Sequence, residues 1–314
     1  MDSPTRFARA VALWALVSAA AASSSGCRQV RGRKAIQDAN ELYKKGQYVE
    51  AVALFERAQA LVPELPVLWL NKGYTCRQLM TSEPRFAACA LEAFGKLKQI
   101  APADARGEQL YMQTLFDAND FAALETIFLA QAHVAERRGT VDLDAATGLQ
   151  QVYFKQGNWA RALSWARKAA DARATDAEAQ YRMGAFIWQL LSSRGGGTEM
   201  TAYDPRVTPA AVAPPPGSRA KAAAPPAAPP PPPVGPDDIS GALRIDLADE
   251  GIRYLEKAMA LRPRHAEAMI YSNLLYRQKS FAFFSEPDKW QAAVDKANEW
   301  QRKGLEARGT TTKL

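Results

Sequence analysis

The apolar positions of this chain recur at helical steps. Ala51, Phe55 and Ala58 stand four and three residues apart, with Pro63 five further on. At 3.6 residues per turn the first three share one face, and the proline closes the helix. The same steps return as Ala90, Phe94, Leu97 and Pro102, and again as Gly251, Leu255, Ala258 and Pro263. A further copy, Ala162, Ala166 and Ala169, has Ala174 in place of the proline. Turn signals precede two of these helices, Lys44-Lys45-Gly46-Gln47-Tyr48 and Lys155-Gln156-Gly157-Asn158-Trp159. Other helical stretches carry Trp69, Asn71 and Gly73, then Ala177-Glu178-Ala179 with Gly184, then Ala266-Glu267-Ala268. The pattern predicts an all-α chain of repeated helix–turn–helix units.

These residues resemble the signature of the tetratricopeptide repeat (TPR), a helical hairpin of about 34 residues. The resemblance covers about 35–290 and implies a solenoid: small residues let the paired helices approach, and the aromatic fills the gap between units. Six units are expected, beginning near residues 32, 66, 105, 143, 177 and 266. The third is degenerate; Asn119-Asp120-Phe121 marks its turn, but most small residues are missing. A last amphipathic stretch, 288–307, carries Trp290, Val294, Ala297, Gln301 and Leu305 at helical spacing. It predicts a helix that closes the exposed end of the stack.

Unit five is interrupted. Its first helix is expected at about 177–192 and its second at about 242–261. From Pro205 to Pro236 there are 13 prolines and nine alanines, flanked by Gly195-Gly196-Gly197 and by Asp237-Asp238. Such a stretch has no core to bury and favours polyproline II. It is read as a surface insertion over 194–241, with a spacer or a ligand for an aromatic groove as the alternative. Closure entropy grows only logarithmically with loop length, so the interruption costs the fold little.

The N-terminus reads as an address. Arg6 and Arg9 precede the apolar run Ala10 to Ala22, which is followed by Ser23-Ser24-Ser25-Gly26-Cys27. That is the order of an export signal, and the run is too short to span a bilayer. The Ser-Gly-Cys end resembles a bacterial lipobox, which implies acylation of Cys27 as the first mature residue. Ser24 stands where a lipobox has leucine, so cleavage after Ala22 to a soluble periplasmic form is the alternative. Arg28, Arg31, Arg33 and Lys34 follow directly, and 27–34 is read as a basic tether. The organisation expected is therefore a signal over 1–26, this tether, repeats over 35–193, the insertion, repeats and closing helix over 242–307, and a disordered tail over 308–314.

Composition adds little chemistry. Charged residues make 23% of the chain and the net charge is +7, too scattered to suggest nucleic acid. His133 and His265 lie far apart, and neither they nor Cys76 and Cys89 match a zinc spacing. Gly195-Gly196-Gly197 lacks the Gly-Lys-Ser/Thr end of a phosphate cradle. Catalysis, cofactor and metal are accordingly not expected. Cys76 and Cys89 are read as two small buried thiols, because Cys89 is displaced by one from a core position; a bridge in an oxidising compartment is the alternative.

What remains is a surface. The resemblance implies a concave groove lined by first helices, and in some family members Lys and Asn there clamp a terminal carboxylate. Asn40, Asn71 and Arg106 occupy three of five such positions, but Ile36 and Leu110 stand where the clamp has cations. With Tyr43, Leu70, Tyr74 and Arg77 they would form an aromatic and aliphatic groove with a basic rim, suited to a peptide. Packing between units is the competing use of the same residues. The function expected is a lipid-anchored adaptor at the outer membrane that binds protein partners in the periplasm. A structural subunit of an envelope assembly, secretion or pilus complex, or a binder of cell-wall polymer, is the alternative.

Overall fold

The computed structural model describes residues 26–194, 239, 241–283 and 285–309. Residues 1–25 of the expected export signal, the core of the proline-rich insertion with Asp237-Asp238, and residues 310–314 lie outside the described residues. Within them the chain is helical, without strands. The helices are α1 (26–44), α2 (Tyr48–Leu61), α3 (Pro66–Met80), α4 (Phe86–Ile100), α5 (Arg106–Asp117) and α6 (Phe121–Glu136). They continue as α7 (Leu143–Lys155), α8 (Trp159–Asp171), α9 (Ala177–Ser193), α10 (Gly241–Leu261), α11 (Ala266–Ser280) and α12 (Pro287–Ala307). Helices α3 and α4, α7 and α8, α9 and α10, and α11 and α12 pair as TPR-type hairpins, and the chain divides into two compact units, Met1–Ile127 and Phe128–Leu314.

In the first unit the repeat spacing becomes packing. Ala51, Phe55, Ala58, Ala90, Phe94 and Leu97 are fully buried in one cluster with Leu68 and Trp69. Gly73 is small because the Phe94 ring occupies the space where its side chain would be. Trp69 donates from Nε1 to the carbonyl of Pro63 at 2.7 Å, tying two signature residues across the α2–α3 turn. Pro63, Pro102 and Pro263 are exposed, as helix stops need to be. The turn glycines Gly46 and Gly157 have φ of +76° and +79°, the left-handed region that glycine enters most cheaply. In the degenerate third hairpin Asn119 takes that role at φ 58°.

Two expectations fail here. Residues 27–34 are no tether but helical turns of α1, because Gly32 packs on Val62 and Ile36 and Ala39 enter the core. Cys76 and Cys89 are not free thiols: they are bonded, with Cα atoms 5.8 Å apart. The α3–α4 turn, 81–85, is longer than the three-residue turn after α1, and Cys89 is turned onto the core beside Cys76.

In the second unit α10 returns across the insertion to complete its hairpin with α9. A Cβ on Gly184 would stand 2.5 and 2.6 Å from Leu255 Cγ and Cδ2, and one on Gly251 would stand 3.3 Å from Ile187 Cβ. Arg167 of α8 grips Glu250 of α10 through two hydrogen bonds of 2.7 and 2.6 Å. Ala162, Leu255 and Ala258 are fully buried, and Gly184 is buried among them. The closing helix is α12, and it is itself the second helix of the sixth pair. Its buried stripe is Trp290, Ala293, Ala297 and Gly304, so Gln301 faces outward and accepts from Arg277 at 3.3 Å. Arg308, read as tail, is the C-cap of α12.

Candidate functional site

The site that the structure favours lies in the first unit, where α1 and α3 run side by side. There Asn40 of α1 stands beside Asn71 of α3. Asn71 Nδ2 donates to Asn40 Oδ1 at 2.9 Å. That bond leaves the Asn40 amide hydrogens and the Asn71 side-chain oxygen without another partner among the described residues. One donor group and one acceptor side by side match what an extended peptide backbone presents.

Around this pair is a cavity of about 300 Å³ lined by Asn40, Tyr43, Lys44, Asn71, Tyr74 and Thr75. Its rings are held rather than loose. Tyr43 meets Tyr48 edge-on with centroids 5.2 Å apart, and Tyr74 meets Phe94 likewise at 5.9 Å. Tyr74 is still 39% exposed and lines the cavity, so part of it is open to a ligand. Thr75 is buried and donates its hydroxyl to the carbonyl of Asn71 at 2.7 Å, which fixes that turn of α3. Lys44 is exposed at the rim and has no partner among the described residues. A second cavity, of about 620 Å³, adjoins the first through Tyr74 and runs past Arg77 and Pro84 to Asp117. Arg77 Nη2 meets Asp117 Oδ2 at 2.6 Å, so this end carries a neutralised pair rather than a free cation.

Four of the seven residues read as groove-forming, Asn40, Tyr43, Asn71 and Tyr74, thus share one cavity, and Arg77 lines its neighbour. Leu70 lies elsewhere: it packs against the core, the competing use foreseen for it. Arg106 turns back on Asp104, which it holds through Nε and Nη2 at 2.9 and 2.7 Å. That hydrogen bond lowers the Asp104 carboxyl below its usual range. Ile36 is buried in the core, so the cation of a carboxylate clamp is missing at that place. Lys44, read from the sequence only as part of a turn signal, supplies a charge one turn beyond Asn40.

A further cavity of about 240 Å³ in the second unit also escaped the sequence reading. It is lined by Gln150, Gln151, Arg173, Arg182, Met183 and Phe186 over a floor of alanines. Ala166 and Ala169 were legible, but only packing reveals that they floor a hollow.

Among the described residues no group of three or more His, Cys, Asp or Glu is placed to hold a metal ion, and no helix is long and apolar enough to cross a membrane. His265 is buried and accepts at Nδ1 from the Ala268 N–H at 3.4 Å, a helix cap.

No family model and no curated protein matches this sequence. Solved structures that resemble it include the MamA protein, at 12% identity with 90% of this chain and 96% of that chain covered, TM-score 0.29. Another is YrrB, described as a TPR protein with an unusual peptide-binding site, at 16% identity over 81% of this chain and 97% of that one, TM-score 0.35. Overlap of that extent leaves the hairpin geometry and its glycine contacts as the ground for the fold.

Proposed function

We propose that this protein is a lipid-anchored adaptor of the bacterial cell envelope that captures a protein partner through an extended segment. The cavity on α1 and α3 carries the reading, because its half-paired amides, exposed ring and free lysine present peptide-recognition chemistry on a rigid floor. Such a site needs no catalysis, and binding of this kind takes its energy from a few buried anchors. The Cys76–Cys89 bond favours an oxidising compartment, where disulfides persist, and so supports export to the periplasm. Cys27 is exposed at the opening of α1, where an acyl chain has room. Anchorage at the outer membrane is part of the same proposal.

The test is fractionation joined to partner capture. In the native cell Cys27→Ser should move the processed chain from the membrane to the soluble pool, and crosslinking should return the same partner from both. A partner recovered at a fixed ratio in every preparation would mark a structural subunit of an envelope machine instead. Retention on protein-free peptidoglycan would mark a cell-wall binder. A Cys27→Ser chain that stays on the membrane through a high-salt wash, its signal removed, refutes the anchor.

A further inference from the structure

α1 has two faces of different character. On one, Gly32, Ile36 and Ala39 are buried, and a Cβ at Gly32 would stand 2.6 Å from both methyl carbons of Val62. Arg28 continues this face: its Nε and Nη2 donate to the carbonyls of Leu61 and Ala60 at 3.0 and 2.9 Å. Those carbonyls end α2 and have no partner within their own helix, so the arginine serves as its cap. The chain is therefore fixed to the first hairpin from residue 28 onward.

The opposite stripe follows the helical steps of three and four: Cys27, Val30, Arg31 and Lys34. All four are exposed, Val30 by 70%. Arg33 is exposed beside them. Their charge is not balanced within the helix. No carboxylate occurs between residues 26 and 37 to offset them. Lys34 reaches Asp38 at 2.5 Å, an exposed pair of little worth. Arg31 and Arg33 have no partner among the described residues. A cationic stripe with an exposed apolar residue and two unpartnered arginines calls for an anionic surface outside the chain.

We propose that this stripe lies on an anionic phospholipid bilayer, with α1 side-on to the surface and the first hairpin held flush against it. The orientation rests on reading Cys27 as the acylated residue; the electrostatic contact does not. Residues 27 to 34 span about 10 Å of helix at 1.5 Å per residue. That is about one Debye length at 0.1 M salt, so an acyl chain on Cys27 keeps all the cations within reach of the headgroups. A flexible tether would leave the solenoid free to turn; this arrangement gives it a fixed lower side.

The contact is testable without the acyl chain. The mature chain carrying Cys27→Ser should float with vesicles of phosphatidylglycerol mixed with phosphatidylcholine at low ionic strength, stay behind with phosphatidylcholine alone, and be released by salt. At about 1 kcal/mol per basic residue, each cation is worth about fivefold. Arg31→Gln with Arg33→Gln, which breaks no internal contact, should weaken partition about 25-fold, and adding Lys34→Gln on the order of 100-fold. Arg137→Gln with Arg138→Gln, exposed residues of the second unit, should leave it unchanged, and unaltered ellipticity shows that both variants remain folded. Absence of any preference for phosphatidylglycerol, or equal losses in the two variant sets, overturns the proposal and leaves an acidic protein as the occupant. Fatty-acid labelling at Cys27 separates the two claims. A labelled chain without lipid preference keeps the anchor and loses this surface; preference without label does the reverse.

Discussion

Replacing Gly184 with alanine sets two known effects against each other. In an isolated helix the change should stabilise by about 1 kcal/mol, since glycine is the poorer helix former. Here the new methyl would lie 2.5 Å from Leu255 Cγ, 2.6 Å from its Cδ2 and 3.1 Å from the Gly251 carbonyl oxygen. Carbon contacts settle at about 3.5–4 Å, so α9 and α10 would have to part by about 1 Å. Leu255 is fully buried and the third neighbour is backbone, so neither can swing aside cheaply. Overpacking of this kind costs about 1–3 kcal/mol, which outweighs the propensity gain. A net loss of about 1 kcal/mol is expected, with overpacking deciding the sign. Leu255→Ala alone should cost about 2–5 kcal/mol. In the double variant the methyl introduced by Gly184→Ala moves into the vacated space, and the combined loss should fall short of the sum by at least about 1 kcal/mol. Urea titration followed by tryptophan emission is a suitable assay, because Trp159, Trp165, Trp188, Trp290 and Trp300 all lie in the second unit. A stabilised Gly184→Ala, or an additive cycle, would refute the packing of α10 on α9 and with it the completion of the fifth hairpin across the insertion.

Other consequences follow from the same packing. Phe55→Ala, at a fully buried site, should destabilise the first unit by about 3–5 kcal/mol in a urea melt followed by ellipticity, while tryptophan emission from the second unit changes little. Loss of the Cys76–Cys89 bond, by reduction or by Cys76→Ala with Cys89→Ala, opens a loop of 13 residues and should cost about 3 kcal/mol in the first unit alone. Replacing residues 198–236 with a short Gly/Ser turn should leave the melting temperature unchanged or slightly raised, since a shorter loop closes at lower entropic cost. Two separate transitions for 128–192 and 243–314 after that excision would show that α10 to α12 fold by themselves.

What the sequence disclosed, and what it hid, divides along a physical line. The second helices were legible because Ala51, Phe55, Ala90, Phe94, Leu255 and Ala258 each meet a neighbouring helix, and close packing permits few residue types there. The turns were legible because a positive φ selects glycine, at Gly46 and Gly157, or asparagine, at Asn119. The opening of α1 was hidden because polar Arg28 and solitary Gly32 acquire meaning only against Leu61 and Val62, thirty residues away. The degenerate third hairpin concealed Gly107, whose Cβ would stand 2.9 Å from the Lys98 backbone nitrogen. The disulfide depended on how the longer α3–α4 turn directs Cys89, which no local spacing records. In the candidate site the asparagines and tyrosines could be placed by repeat position. Leu70 and Arg106 could not, because repeat position says which way a side chain starts and not which neighbour holds its end.

The central claim is that partners are held at the α1–α3 cavity, and a photo-crosslinking residue tests it at one side chain. Placed at Tyr74, which lines both cavities, the probe should yield one discrete crosslinked partner in the native cell. That product should fall sharply when Asn71→Ala is added, since one of the paired amides is then lost. The same probe at Val49, 53% exposed on α2, should yield none of it. Equal products from Tyr74 and Val49, or a Tyr74 product indifferent to Asn71→Ala, would contradict the assignment of this cavity as the binding site.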